Sequence, residues 1–320
     1  MANITIIGAG IMGHAIGQVY AQFGHSVWMC DVKDDYLRTA KKQIKENLDI
    51  LISENLIDDS ESTTIQNRIH YTTSLKESLH NAIIVTESIP EIMDAKLDII
   101  SKVESIVSPE TIIASNTSSL QLMDLIAKAN YAERIIITHF FNPAYLIPLV
   151  EIVRNDFTSS TTVATTIEMI KSIGKIPVVL KKEIPGFIAN RLQVALLREA
   201  FHLLEQGIAD PQDIDLALSE GPGFRWPFIG GFKTVDYGGI DIWKHVCDNI
   251  FPTLSASQSS PELLQKLFNE GHLGIKTREG IYSYGSNPLS TTLTIRDRLL
   301  TKLLVLKNSN PHLNEEKSLS

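Results

Sequence analysis

The sequence has little that would cross a membrane, grip nucleic acid or be held by disulfides. Of its 320 residues only Cys30 and Cys247 are cysteines, far apart and outside any CxxC pair. That excludes a disulfide framework and a thiolate zinc site, and no metal is expected. Cys30, inside an apolar run, reads as a small hydrophobe. No stretch approaches the ~18 consecutive apolar residues of a membrane span. Lys and Arg number 29 against 37 Asp and Glu, a formal net charge of −8 with no basic block. A nucleic-acid backbone is therefore a poor partner. Strand-like residues begin by Ile4, so no signal peptide fits ahead of them and a cytoplasmic location is expected. The remaining balance, 43% hydrophobic and 21% charged, is that of a soluble globular protein of one large or two ordinary domains.

Ile4-Thr5-Ile6-Ile7 is short, β-branched and apolar, as a buried parallel strand is. Gly8-Ala9-Gly10-Ile11-Met12-Gly13 follows at once. An apolar helical pattern then runs from Ile11 to about Phe23, and a strand from Ser26 to Cys30 ends at Asp31. The glycine spacing is G-x-G-x-x-G, with Asp31 18 residues after the last glycine. Gly8 permits the tight turn, Gly10 lets backbone approach a pyrophosphate, and Gly13 lets helix and strand pack closely. The helix N-terminus at Ile11 and Met12 offers N–H groups to the anion. Asp31 can accept hydrogen bonds from a ribose diol and would repel a 2′-phosphate, which favours NAD over NADP; Lys33 nearby weakens that discrimination. A glycine-rich turn without a ligand is the alternative for the glycines alone. Strand, glycines, helix, strand and acid in this order point to a dinucleotide site.

Further on, residues 34–57, Leu75–His80 and Ala95–Val107 read as helices. Ala82–Val85 (ending at Glu87), Thr111–Ala114, Ile135–Ile137 and Val178–Leu180 read as strands. Pro177 fits a strand's start or an edge strand. The alternation implies a parallel, doubly wound, Rossmann-type sheet over residues 1–183. The rest, 184–320, reads as a smaller all-α domain. Pro185 opens a helix to about Gly207 that is apolar on more than one face, so it is expected to be packed from two sides. Asp210–Glu220, Val235–Ile250, Pro261–Gly271 and Thr294–Leu306 read as further helices, with a polar tail from Asn308.

Two residues sit past carboxyl ends of expected strands, the edge where open α/β sheets bind ligands. These are Ser118, in Ser115-Asn116-Thr117-Ser118-Ser119, and His139. Glu151 comes 12 residues after His139, inside the apolar run Leu149–Val153. A buried acid there is costly unless paired. A histidine partner would gain basicity and a fixed tautomer, as a general base removing an alcohol proton needs. The plainer readings are a core histidine bonded to backbone, an acid at the sheet rim, and a serine that caps a helix before Leu120.

Ser115–Ser119, His139-Phe140-Phe141-Asn142-Pro143, Leu149–Glu151 and Pro185-Gly186-Phe187-Ile188-Ala189-Asn190-Arg191 together resemble the 3-hydroxyacyl-CoA dehydrogenase family, from Ile4 to about Tyr284. The resemblance implies that His139 is the base and Glu151 its acidic partner, and that Ser118 and Asn190 hold the substrate oxygen. It implies that Glu91 and Lys96 touch the nicotinamide-side ribose, and that Asn116 and Asn142 line the same pocket. Without it, Glu91 and Lys96 would read as a solvated pair. It also implies a homodimer joined through the Pro185–Gly207 helix, where an intramolecular core is the alternative.

Within that family the sequence points two ways. His139–Pro143 is the form of the acyl-CoA enzymes. Asn142–Glu151, Asn190-Arg191-Leu192-Gln193 and Ser219–Trp226 are more similar to the gulonate (lambda-crystallin) and carnitine dehydrogenase branch. Arg225 could grip a free carboxylate bidentately, or could merely stack on Trp226. Lys41, Lys42 and Lys45 could serve coenzyme A phosphates, but Glu46, Asp49 and Glu54 lie among them. The expectation leans to a small free 3-hydroxy acid, with a short 3-hydroxyacyl-CoA as the alternative and a non-catalytic crystallin-like structural or NAD-binding role more distant.

Overall fold

The computed structural model describes residues 1–285 and 289–310. The chain forms two compact units. One is Met1–Ala189 with Asp297–Leu304; the other is Asn190–Arg296 with the chain from Val305.

The first unit is built on eight strands: β1 (Asn3–Ile7), β2 (Ser26–Cys30), β3 (Ile69–Thr72), β4 (Ile84–Glu87), β5 (Ile112–Ser115), β6 (Ile135–Phe140), β7 (Leu149–Val153) and β8 (Ile176–Leu180). They form one sheet in the order β3-β2-β1-β4-β5-β6-β7-β8. Its helices are α1 (Ile11–Gln22), α2 (Asp34–Ser53), α3 (Asp59–Asn67), α4 (Leu75–Ser78), α5 (Met93–Glu104), α6 (Leu122–Leu125) and α7 (Ser160–Ser172). Strand alternation sends side chains to two cores, one on each face of the sheet. Ile4, Ile6, Ile84, Ile112 and Ile136 join the first, with Ile16, Ile44 and Leu48 from α1 and α2. Ile7, Val85, Ile113, Ile135 and Ile137 join the second, with Ile100 and Val103 from α5. A sheet covered by helices on both faces is the doubly wound arrangement the alternation implied.

The structure departs from the sequence reading in four places in this unit. β3 and α3 were not expected; Asp58 caps α3 in a reciprocal box with Glu61, and β3 extends the sheet beside β2. The helix α7, capped by Ser159, was also not expected. The sheet is not wholly parallel, because β7 runs antiparallel to β6. His139 lies inside β6 rather than past its end. Pro177 does sit in an edge strand, since β8 closes the sheet's order.

The remaining helices are α8 (Ala189–Glu205), α9 (Pro211–Glu220), α10 (Pro222–Arg225), α11 (Gly231–Gly238), α12 (Ile240–Ile250), α13 (Glu262–Asn269) and α14 (Leu289–Asn308). Pro185 does not open α8. Gly186 and Phe187 both take left-handed backbone, and the helix starts only after that turn. The single helix expected over Val235–Ile250 is two, divided at Gly239. No described residue of the second unit is buried. Leu192 and Val194 on α8 are 68% and 62% exposed, and Phe232 on α11 is 92% exposed. Among the described residues α8 has none buried, so the packing from two sides expected for it is not present within this chain. The polar tail beyond Asn310 lies outside the described residues.

Candidate active site

The antiparallel turn-back of β7 is what assembles the site. It sets His139 directly opposite Glu151 in register, and opposed residues of an antiparallel pair point to the same face. Both are buried. His139 Nδ1 lies 2.9 Å from Glu151 Oε2, and His139 Nε2 lies 3.2 Å from Ser118 Oγ. The other carboxylate oxygen, Oε1, accepts the N–H groups of Ile188 and Ala189 at 2.9 and 2.8 Å, where α8 begins. Burial pushes the Glu151 carboxyl up, but the bond from His139, the two backbone N–H groups and the histidine's charge outweigh it, and its pKa lies below the ordinary value. An ionised carboxylate only accepts, so His139 Nδ1 carries the proton and Nε2 presents its lone pair toward Ser118. Phe141 and Phe187 flank the imidazole at ring-centroid distances of 4.5 and 5.2 Å.

Ser118 is not a helix cap. The hydroxyl of Thr117 accepts the Leu120 N–H, and Glu91 gathers the turn. Glu91 Oε1 accepts from the Thr117 hydroxyl, from the N–H groups of Ser118 and Ser119 at 3.1 Å each and from the Ser119 hydroxyl at 2.9 Å. The Ser118 loop thus hangs on one carboxylate. Its pKa is pushed up by burial and pulled down further by Thr117, Lys96 and the Ser119 and Ser118 bonds, ending below the ordinary range.

Lys96 is not solvated either. Its side chain is 1% exposed, with Nζ 2.7 Å from Glu87 Oε1 and 3.3 Å from Glu91 Oε2. Glu87, at the end of β4, also accepts the Ile89 N–H at 2.8 Å and the Ser115 hydroxyl at 2.6 Å. One buried ammonium therefore ties the ends of β4 and β5 to the Ser118 loop. Asn116 accepts the Phe140 N–H at 2.9 Å, which joins that loop to β6.

At the glycine-rich turn, Gly8 has φ +97°, and a Cβ there would lie 2.6 Å from the Ser88 carbonyl oxygen. A Cβ on Gly13 would lie 1.8 Å from the Gly8 oxygen, so helix and turn touch backbone to backbone. At Gly10 a Cβ would meet nothing within 4 Å. No packing requires glycine there, and the space is open for a ligand. The first turn of α1 has no side-chain cap. Asp31 accepts the N–H groups of Ala9 at 2.7 Å and Val32 at 2.6 Å, which places its carboxylate beside the turn. These features fit a dinucleotide.

Asn142 is exposed in the segment after β6. Asn190 and Arg225 belong to the second unit. Asn190 is half-buried, one residue beyond the Ala189 N–H that Glu151 holds. Arg225 is exposed and lines a pocket of about 280 Å³ with Ile229, Thr234, Tyr237, Gly238 and Trp243. Sequence reasoning missed Glu87 and the ring contact of Phe187. A lone acid ending a buried strand was the available signal for Glu87.

The chain matches the description "3-hydroxyacyl-CoA dehydrogenase, NAD binding domain" over residues 3–184 and the C-terminal domain of the same enzymes over residues 186–284. It is 33% identical over 282 residues to 5-formyl-3-hydroxy-2-methylpyridine 4-carboxylate 5-dehydrogenase of Mesorhizobium japonicum, covering 88% of this chain and 90% of that protein. A solved structure of an enzyme of that name superposes with a TM-score of 0.88 at 30% identity, over 99% of this chain and 100% of the other. The mitochondrial hydroxyacyl-coenzyme A dehydrogenase of Homo sapiens is 36% identical over 291 residues, 88% of this chain and 91% of that one. The human lambda-crystallin homolog is 34% identical over 246 residues, 77% of each. Two successive domain matches that together span the glycine turn, the His139–Glu151 pair and most of the helical unit leave one assignment: the chain belongs to the 3-hydroxyacyl-CoA dehydrogenase family of NAD-dependent oxidoreductases acting on CH–OH groups.

Proposed function

We propose that the protein oxidises the C3 hydroxyl of a small free 3-hydroxy acid to the 3-keto form, with His139 as general base. The observation that carries this is the Ser118–His139–Glu151 chain, in which an ionised carboxylate fixes the tautomer that leaves Nε2 free to take a proton. When bound, NAD supplies the hydride acceptor; Gly8, Gly10, Ile11, Met12 and Gly13 would hold its pyrophosphate and Asp31 its adenosine ribose. Glu91, Lys96, Asn116 and Asn142 are assigned to the nicotinamide side. Ser118 and Asn190 hold the substrate hydroxyl, Ser118 by donating to its oxygen. His139 Nε2 takes the hydroxyl proton as the C3 hydrogen leaves as hydride, and Glu151 stabilises the imidazolium that results.

The free acid is favoured by three features. Two of the three lysines on α2 that could face coenzyme A phosphates are matched within the helix, Lys42 to Glu46 at 3.6 Å and Lys45 to Asp49 at 2.7 Å, and Lys41 lies over the Tyr71 ring at 6.0 Å. Arg225, with Tyr237 and Trp243, offers a cationic, aromatic-walled pocket suited to a carboxylate. One similarity over 99% of this chain is to an enzyme named for a pyridine carboxylate. The second reading, a short-chain L-3-hydroxyacyl-CoA dehydrogenase of fatty-acid metabolism, is favoured by the 36% identity to the human mitochondrial enzyme. An NADH-absorbance screen of the purified protein against 3-hydroxybutyrate, L-gulonate, L-carnitine and 3-hydroxybutyryl-CoA decides between them. Turnover of the thioester alone would refute the free-acid reading, and turnover of none would favour a structural role.

The protein is proposed to work as a cytoplasmic homodimer. A helical unit with no buried residue among those described does not offset its ordering entropy alone, and a second copy covering α8 and its neighbours supplies the missing burial. Light scattering should give roughly twice 35.6 kDa; a monomer at micromolar concentration would contradict this.

A further inference from the structure

The family match ends at residue 284, but the chain goes on as α14, and the middle of that helix returns to the first unit. Asp297 and Thr301 are buried there. Leu300 packs on the same core that holds Ala144, Tyr145 and Leu146. Tyr145 donates its hydroxyl to Asp297 Oδ2 at 2.7 Å, a buried bond between residues 152 apart in sequence. Thr301 bonds the Asp297 carbonyl at 2.8 Å and completes the turn. At the edge of the seat, Arg298 and Lys302 face Glu54 at 3.9 and 3.8 Å.

Tyr145 is in the one segment that joins β6 to β7, between His139 and Glu151 and three residues past Asn142. Lys175 grips the same segment from the start of β8, its buried ammonium donating to the carbonyls of Ala144 at 2.6 Å and Ile147 at 2.8 Å. The segment is therefore pinned at its middle by two polar contacts from distant parts of the chain. A buried polar bond adds little net stability over a well-packed apolar pair, and what it gives is one defined position.

We propose that Asp297–Leu304 is a positioning element of the active site. Through Tyr145 it fixes the β6–β7 connection, and with it the placement of Asn142 and the register that sets His139 against Glu151. This rests on the reading of His139 as the base. Tyr145 and Asp297 are positioning residues and touch no reacting atom.

The test uses the full-length protein with Tyr145→Phe, Asp297→Ala, their double variant and Asp297→Asn. Each is assayed with whichever of 3-hydroxybutyrate, L-gulonate, L-carnitine and 3-hydroxybutyryl-CoA the native protein oxidises fastest, with NADH binding by fluorescence and thermal melting alongside. Tyr145→Phe and Asp297→Ala should each lower kcat about five- to tenfold, the scale of one lost hydrogen bond, with NADH affinity lowered by no more than that factor because Gly8, Gly10, Gly13 and Asp31 are untouched. The double variant should be no worse than the worse single one, because both remove the same contact. Asp297→Asn keeps an accepting oxygen and should restore most of kcat. A lowered melting temperature with native kcat in all variants would reduce α14 to a structural brace and overturn the proposal. His139→Gln, assayed in parallel, separates the two claims. If it turns over normally the base reading fails; if it is inert while Tyr145→Phe is native, only the positioning role fails.

Discussion

Replacing Glu151 by Gln isolates what its carboxylate does for His139. Glutamine keeps an oxygen for the Ile188 and Ala189 N–H groups, so the start of α8 stays capped. Its amide nitrogen, however, is a donor facing His139 Nδ1, 2.9 Å away in the native pair. Nδ1 must then accept, the ring proton moves to Nε2, and the lone pair that would take the substrate proton is gone. The variant also loses the charge that stabilises the imidazolium. A unit pair about 4 Å apart interacts by about 4 kcal/mol at an effective dielectric constant of about 20, and about 1.4 kcal/mol is tenfold in rate. Allowing for partial compensation by the amide dipole, kcat should fall by about 10²- to 10³-fold. Initial-rate NADH formation gives the number, and NADH titration should show nearly native affinity. A kcat within a few-fold of native would refute the tautomer argument. Stability carries its own sign. The native Glu151 pKa is below the ordinary 4.5, so its contribution is present above that pH and lost as pH falls through the folded pKa. The stability difference between native and variant should be constant at neutral pH and shift in the variant's favour on acidification below about 4.5.

Lys96→Met should be the most destabilising single change near the site. It leaves Glu87 and Glu91 without their shared cation, and breaking a buried pair costs about 3–5 kcal/mol; urea unfolding with a loss under about 1 kcal/mol would show that the pair does not hold the fold. Asp31→Ala should weaken NAD binding and relax discrimination against NADP, measured as the ratio of the two kcat/KM values; equal use of both by the native protein would contradict the assigned role. Arg225→Met should cut kcat/KM for a free acid by about 30-fold, the scale of a lost charge-assisted pair, and affect a thioester far less. No loss against the best free acid would move the acyl-CoA reading ahead.

Much of the first unit was legible because its strands are short, β-branched and end at glycine or polar clusters. β1, α1 and β2 fall where the pattern set them, and the reasons assigned to Gly8 and Gly13 reappear as a left-handed φ and a backbone contact. β3 and α3 were missed because residues 58–74 mix polar and apolar types without a clean period, so the capping box at Asp58 and Glu61 was the only signal. The reversal of β7 was missed because an apolar run carries no direction, and the segment from Phe141 to Pro148 has no short hairpin signature. That reversal also puts Glu151 against His139, so the pair was inferred from chemistry before the geometry that creates it was visible. Lys96 shows the opposite limit. Nothing local marks a lysine as buried when its partners, Glu87 and Glu91, come from the end of another strand and the turn beyond it. In the second unit α9 and α13 start at or beside their prolines as expected, but Pro185 does not open α8 and Gly239 divides a helix read as one, and a single sequence does not say what covers Leu192, Val194 or Phe232.

The central claim is that His139 Nε2 removes the substrate's hydroxyl proton. Its most direct test is single-turnover NADH formation by His139→Gln with NAD and the best substrate of the screen, beside NAD affinity measured by titration. The account predicts hydride transfer slowed by about two orders of magnitude or more, with NAD affinity unchanged within about twofold. Transfer at a near-native rate with the imidazole removed would contradict it.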